Sequence, residues 1–221
     1  MKLNFSYDMA VERAYVIALV NNETSMAMAK RCLKSCEDAG MVATVWEAFD
    51  GTQGKIVAPR IASWHSWIKQ VDKQLSVTEV ACALSHISLW AQCMELDRPI
   101  VILEHDAIMV KPYLKHEVFN SICYLGNNEQ VNQGWQVLPT PPHASNGNNY
   151  HFLCRAHAYA IDPAVAKNLM AHVIKYGIHE SLDIMLRADI FPIHQMGVYA
   201  YDSHGETTIT HRKTAADGGQ R

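Results

Sequence analysis

Apolar and polar positions alternate along the chain in blocks that predict strands and helices in turn. Ala14 to Val20 is an apolar run of strand length, and Asn21-Asn22-Glu23-Thr24 is a turn with helix-capping chemistry. A helix is predicted from about Ser25 to Ala39, stopped by Gly40, followed by a strand from Val42 to Phe49 that closes at Asp50-Gly51. This order is a βαβ unit, which predicts parallel pairing with a right-handed crossover. Ser76-Val77-Thr78-Glu79 has capping-box spacing. The helix it opens, to about Glu95, carries Val80, Leu84, Ile87 and Met94 near one stripe, with Cys82, Ala83 and Trp90 widening it.

Pro99 to Ala107 follows directly. Ile100-Val101-Ile102-Leu103 predicts a strand buried on both faces, with Glu104, His105 and Asp106 at its carboxyl end. Ligands of open α/β sheets bind at that edge. If the chain stays extended, Glu104 and Asp106 share one side and His105 takes the other. Paired carboxylates suit a hard divalent cation, or a cation and a sugar hydroxyl. A plain polar turn would use the same residues.

Further on, a helix is expected from Lys111-Pro112 through Tyr124, a short strand from Gly134 to Leu138, and a strand from Tyr150 to Ile161. Asp162-Pro163 starts a helix that runs to Tyr176 and stops at Gly177. A short helix over Glu180 to Leu186 would hold Glu180 and Asp183 in its first turn, where acids also simply complement the helix dipole. Phe191–Ile193 and Val198–Tyr201 are short strands. Residues 51–75, with Trp64, His65 and Trp67, fit either an irregular lid or a short helix. Residues 139–149 form a breaker-rich loop of the kind that closes over a site. Residues 1–12 are expected to be a loose leader and 203–221 a frayed tail. The whole pattern is that of one α/β domain over residues 1–221.

Composition narrows the function classes. A net charge of −3 without a basic block argues against a nucleic-acid partner. The six cysteines form no C-x-x-C pair and are expected as buried thiols in a reducing compartment. No signal peptide and no run of roughly 18 apolar residues is found, so a cytoplasmic protein without a transmembrane segment is expected. No H-x-H or H-x-x-E-H cluster supports a histidine-based metallohydrolase.

Four landmarks in order resemble glycosyltransferase family 25, the lipooligosaccharide and collagen β-galactosyltransferase-like group. They are the first strand with Trp46-Glu47-Ala48-Phe49-Asp50-Gly51, the Thr78 to Trp90 segment, Ile102-Leu103-Glu104-His105-Asp106-Ala107, and Ala156-His157-Ala158-Tyr159-Ala160-Ile161 with Leu182-Asp183. Thr78 to Trp90 is the most specific of these, being similar to the family's "G-E-I-G-C-x-L-S-H". Two positions depart from the pattern. The stretch Ala18-Leu19-Val20-Asn21-Asn22 lacks an arginine the family usually has, and the acidic motif reads Glu-His-Asp in place of Glu-Asp-Asp.

The resemblance implies a GT-A-like, mostly parallel sheet flanked by helices. It implies inverting transfer of a hexose, galactose or glucose, from a UDP-sugar to a glycan or other hydroxyl acceptor. Asp106, Glu104 and a C-terminal histidine, His194 or His204, would hold Mn²⁺ or Mg²⁺. Asn21, Ser85, His86, Glu104 and His105 would contact the donor. Asp183 would be the general base, with Glu180 as the alternative. A protein that keeps the fold and binds a nucleotide sugar without turnover is the rival.

Overall fold

The computed structural model describes residues 13–59, 68–70, 74–113, 120–126, 136–137, 156–195 and 197–203. The predicted leader, the Trp64-His65-Trp67 stretch, the 139–149 loop, His204 and nearly all of the tail lie outside these residues.

Strand β1 (Ala14–Ala18) leads into helix α1 (Glu23–Asp38), then strand β2 (Ala43–Glu47), helix α2 (Val77–Leu96) and strand β3 (Ile100–Glu104). Strands β4 (Ala107–Met109), β5 (Ile122–Tyr124), β6 (Gln136–Val137) and β7 (Ala158–Ile161) follow. Helices α3 (Pro163–Tyr176) and α4 (Leu182–Met185) and strands β8 (Ile193–Gln195) and β9 (Ala200–Asp202) complete the order. Seven strands make one sheet in the order β2-β1-β3-β7-β5-β8-β6, and β4 pairs with β9 alone. β1 runs parallel to β2 and β3, and β5 parallel to β8, while β7 and β6 are antiparallel to their neighbours. Five of these seven strands (β2, β1, β3, β5 and β8) point the same way, so the sheet is mixed and mostly parallel.

Local chemistry explains the helix boundaries. Asn22 caps α1 by accepting from Ser25 N at 2.9 Å, and Gly40, at φ 75°, takes the left-handed turn just past its end. Ser76 and Glu79 form the full capping box of α2, with contacts of 3.1 and 2.8 Å. Asp162 caps α3, with Pro163 in its first turn.

Strand alternation sorts the core into two faces. Tyr15, Ile17, Ile100, Ile102, Tyr159 and Ile161 join α2 and α3 on one face. Ala14, Val16, Val101, Leu103, Ala158 and Ala160 join α1 and the β4–β9 pair on the other. α2 is buried around most of its circumference rather than along one stripe, because it packs against both the sheet and α3.

Two expectations are corrected. Residues 122–124 of the predicted Lys111–Tyr124 helix form β5, because Ile122, Cys123 and Tyr124 are buried between β7 and β8 and a strand places apolar groups on both faces. The chain does not stay extended past Glu104 either: His105 and Asp106 make a turn into β4, a strand the sequence pattern did not predict.

Candidate active-site cleft

The carboxyl ends of β1 and β3 open into a cleft with the Ala48–Thr52 segment and the N-terminal half of α2. It encloses about 580 Å³ of free space, part of it open to solvent. Its walls include Leu19, Gly51, Thr52, Thr78, Cys82, Ser85, His86, Glu104, His105 and Asp106.

Two serines of α2 fasten this side of the cleft, Ser85 at the Ala48–Thr52 wall and Ser88 at the end of β2 that leads into it. Ser85 Oγ accepts from Phe49 N at 2.9 Å and donates to Ala81 O at 2.8 Å. Ser88 Oγ accepts from Trp46 Nε1 at 2.7 Å and donates to Ser85 O at 2.6 Å. Gly51 completes the fit, because a Cβ there would lie 2.7 Å from Val77 O. Ser85 thus lines the cleft while its hydroxyl is committed to holding this wall.

Alternation places the end of β3. Glu104 has the parity of Ile100 and Ile102 and faces α2, where its Oε1 lies 3.3 Å from His86 Nε2. His105 has the parity of Leu103 and faces α1, with Nδ1 3.3 Å from Ser25 Oγ. Ser25 Oγ also accepts from Leu19 N at 3.0 Å, joining the end of β1 to the start of α1. Asp106 follows in the turn, its carbonyl accepting from Ser203 N at 3.1 Å. Its Oδ1 is buried and has no hydrogen-bond partner among the described residues.

Burial sets the charges. Desolvation, and then the nearby Asp106 carboxylate, raise the Glu104 carboxyl from an ordinary 4.5 to about 7. His86, 1% exposed at its side chain, is pushed down to about 3 by burial against a weaker opposing pull from Asp183, so its imidazole is neutral. Burial, followed by repulsion from Glu104, raises the Cys82 thiol. The ligand atoms of Cys82, His86 and Glu104 all lie within 4.8 Å of one another, an arrangement compatible with a divalent metal if His86 Nε2 is unprotonated.

Of the residues singled out from sequence, Ser85, His86, Glu104, His105 and Asp106 meet in this cleft. Asp183 sits in α4, which packs against α2, and its charge is felt at His86, Cys82 and Tyr159. Glu180 precedes α4 instead of entering its first turn. Asn21 is exposed in the turn after β1 and does not line the cleft.

His194 is corrected as a partner of Glu104 and Asp106. It pairs across from Cys123 in β5, in the row of Val101, three strands from β3 and therefore roughly 14 Å away across the sheet. One ion cannot bridge that distance. Cys82 and Thr78 line the cleft with no sequence signal beyond lying in a resembling stretch, and Thr52 lines it just past the end of one.

Among the described residues no helix is long and apolar enough to cross a membrane. Cys32, Cys36, Cys93 and Cys123 are buried free thiols, as expected, whereas Cys82 is half-buried at the cleft.

Comparison with functionally curated proteins returns no significant match. Among solved structures the chain is similar to a "glycosyltransferase involved in the glycosylation of the major capsid of PBCV-1", with 9% identity over 88% of this chain and 94% of that one and a TM-score of 0.37. The sequence model of glycosyltransferase family 25 (LPS biosynthesis protein) matches residues 12–186, a span that contains the whole cleft. The chain belongs to glycosyltransferase family 25 and is a glycosyltransferase built on a mixed, mostly parallel α/β sheet.

Proposed function

We propose that the cleft binds a UDP-sugar with a divalent cation, Mn²⁺ or Mg²⁺, and transfers its hexose with inversion to a hydroxyl of a glycan acceptor. The observation that carries this reading is the cleft's charge. Its described walls contain Glu104 and Asp106 and no lysine or arginine, so no fixed cationic side chain there offsets the charge of a diphosphate. The buried, unpartnered Asp106 Oδ1 fits such an ion, since a desolvated carboxylate oxygen without a partner is costly.

Asp106 would hold the ion, with Glu104 beside it. When bound, the ion neutralises charge that builds on the departing nucleoside diphosphate. The chain's own residues do the rest. Glu104 offers a carboxylate to a ribose hydroxyl or to the ion's shell. Gly51 and Thr52, held by Ser85 and by the Asp50 side chain, which accepts from Thr52 N and Oγ1 at 2.8 and 2.7 Å, shape the opposite wall. Asp183 takes the proton from the acceptor hydroxyl as it attacks the anomeric carbon, and Glu180 is the alternative base. Cytoplasmic action on a lipooligosaccharide-type acceptor belongs to the same proposal.

The test is UDP release from a panel of UDP-hexoses with Mn²⁺, Mg²⁺ or chelator and saccharide acceptors. Acceptor-stimulated, metal-dependent release from UDP-galactose or UDP-glucose supports the reading. UDP binding without release under any pairing would favour a non-catalytic binder.

A further inference from the structure

Behind Glu104 lies a buried polar chain that the transfer reaction does not itself require. Trp90 Nε1 donates to Tyr159 Oη at 3.0 Å, and Tyr159 Oη lies 2.9 Å from His86 Nδ1. His86 and Tyr159 also stack nearly parallel, with ring centroids 5.7 Å apart. His86 Nε2 is buried without a well-aligned hydrogen bond among the described residues, and the polar atom facing it is Glu104 Oε1 at 3.3 Å. Trp90, Tyr159 and His86 are all fully buried.

Donor counting fixes the direction of this chain. A tyrosine hydroxyl has one proton and two lone pairs, while an indole nitrogen only donates. Trp90 therefore takes a lone pair of Tyr159, and among the described residues the other polar contact of that hydroxyl is His86 Nδ1. If Nδ1 carried the imidazole proton, the Tyr159 proton would be left without an acceptor in the core, and the bare Nε2 would confront a carboxylate. If Tyr159 donates to Nδ1, the Tyr159 proton has its acceptor, and the imidazole proton sits on Nε2, 3.3 Å from Glu104 Oε1, where a small shift of the carboxylate completes the bond.

We propose that Tyr159, fixed by Trp90, locks His86 in its Nε2–H tautomer, so that His86 donates to Glu104 and holds that carboxylate against the cleft wall. His86 and Tyr159 are then positioning residues for Glu104. The lock also withholds Nε2 from metal binding, so the Cys82–His86–Glu104 cluster is not an ion site. The positioning role rests on the reading of Glu104 as a donor contact; the tautomer does not.

Protein labelled with ¹⁵N-histidine and free of metal, studied by long-range ¹H–¹⁵N correlation, reads the tautomer directly. The His86 signals are identified by their loss in His86→Asn. The expected result is a protonated Nε2 and a bare Nδ1 in wild type, unchanged by one equivalent of Zn²⁺. Tyr159→Phe keeps the ring and removes the hydroxyl, and should give a mixed or inverted tautomer. Its affinity for UDP with Mn²⁺ should fall several-fold. A protonated Nδ1 in wild type, or loss of the Nε2 proton on adding Zn²⁺, overturns the lock. An unchanged tautomer in Tyr159→Phe overturns the part assigned to Tyr159, and an altered tautomer with unchanged UDP affinity overturns the positioning role. Failure of wild type to bind UDP would sink the proposed donor site, while the spectra would still decide the lock.

Discussion

Glu104 and His86 approach to 3.3 Å where the last residue of β3 passes the middle of α2, so the cleft's acidic wall is backed by a buried neutral imidazole. This contact joins the two most informative stretches of the sequence, and it makes the cleft's charge sensitive to pH.

The pH dependence should separate cleanly in a Glu104→Gln comparison. The folded carboxyl binds its proton more tightly than an unfolded one, with a value of about 7 against 4.5. Its contribution to stability is full below 4.5 and is lost as pH rises through 7. His86 acts oppositely, since its value falls from 6.5 to about 3 and its contribution is lost as pH drops through that window. Wild-type stability alone would blend the two slopes. The stability of wild type minus that of Glu104→Gln, from urea unfolding between pH 4.5 and 7.5, should decline steadily as pH rises. A flat or rising difference would show that Glu104 is not held in this environment.

Gly51→Ala should lose stability by about 1–3 kcal/mol, because the added methyl meets Val77 O at 2.7 Å and the wall or α2 must shift. The same shift displaces Thr52 and should raise KM for the donor. Denaturant midpoints and donor saturation curves check both effects. A variant with wild-type stability would mean that the wall is not packed against α2 as described.

Asp183→Asn should lower kcat by roughly 10²–10⁴-fold while leaving UDP affinity nearly unchanged, as a base acts on the acceptor proton in the transition state. Single-turnover rates beside UDP titrations make the distinction. A comparable loss in UDP affinity would reassign Asp183 to the donor site, and an unimpaired rate would pass the base role to Glu180.

Much of this molecule was legible because its local signals agree with its tertiary ones. The capping box at Ser76, the Asp162-Pro163 start and the apolar run at Ile100 all mark elements that the structure contains. The run from Ile122 to Tyr124 reads equally as helix or strand, because a short apolar stretch has no periodicity that distinguishes a buried strand from a buried helix. Pairing with β7 and β8 decides it, and that pairing is not local.

In the cleft, Glu104 could be placed by parity alone. The reversal at His105-Asp106 depends on β4 finding β9 nearly a hundred residues later, which no window of sequence contains. His194 has the chemistry to complete a metal site with the acids, and only the strand order reveals its distance from them. Tyr159 and Trp90 stood in the resembling segments, yet their hydroxyl and indole groups carry meaning only once α2 crosses β7.

In the proposed reaction Asp106 anchors a cation that lets an acidic cleft accept a diphosphate. Calorimetric titration of UDP into wild type and Asp106→Asn, each with Mn²⁺ and with chelator, tests it most directly. Wild type should bind measurably with Mn²⁺ and lose at least about tenfold in affinity with chelator, and Asp106→Asn should show the same loss even with Mn²⁺. Equal UDP affinity in all four titrations would contradict it.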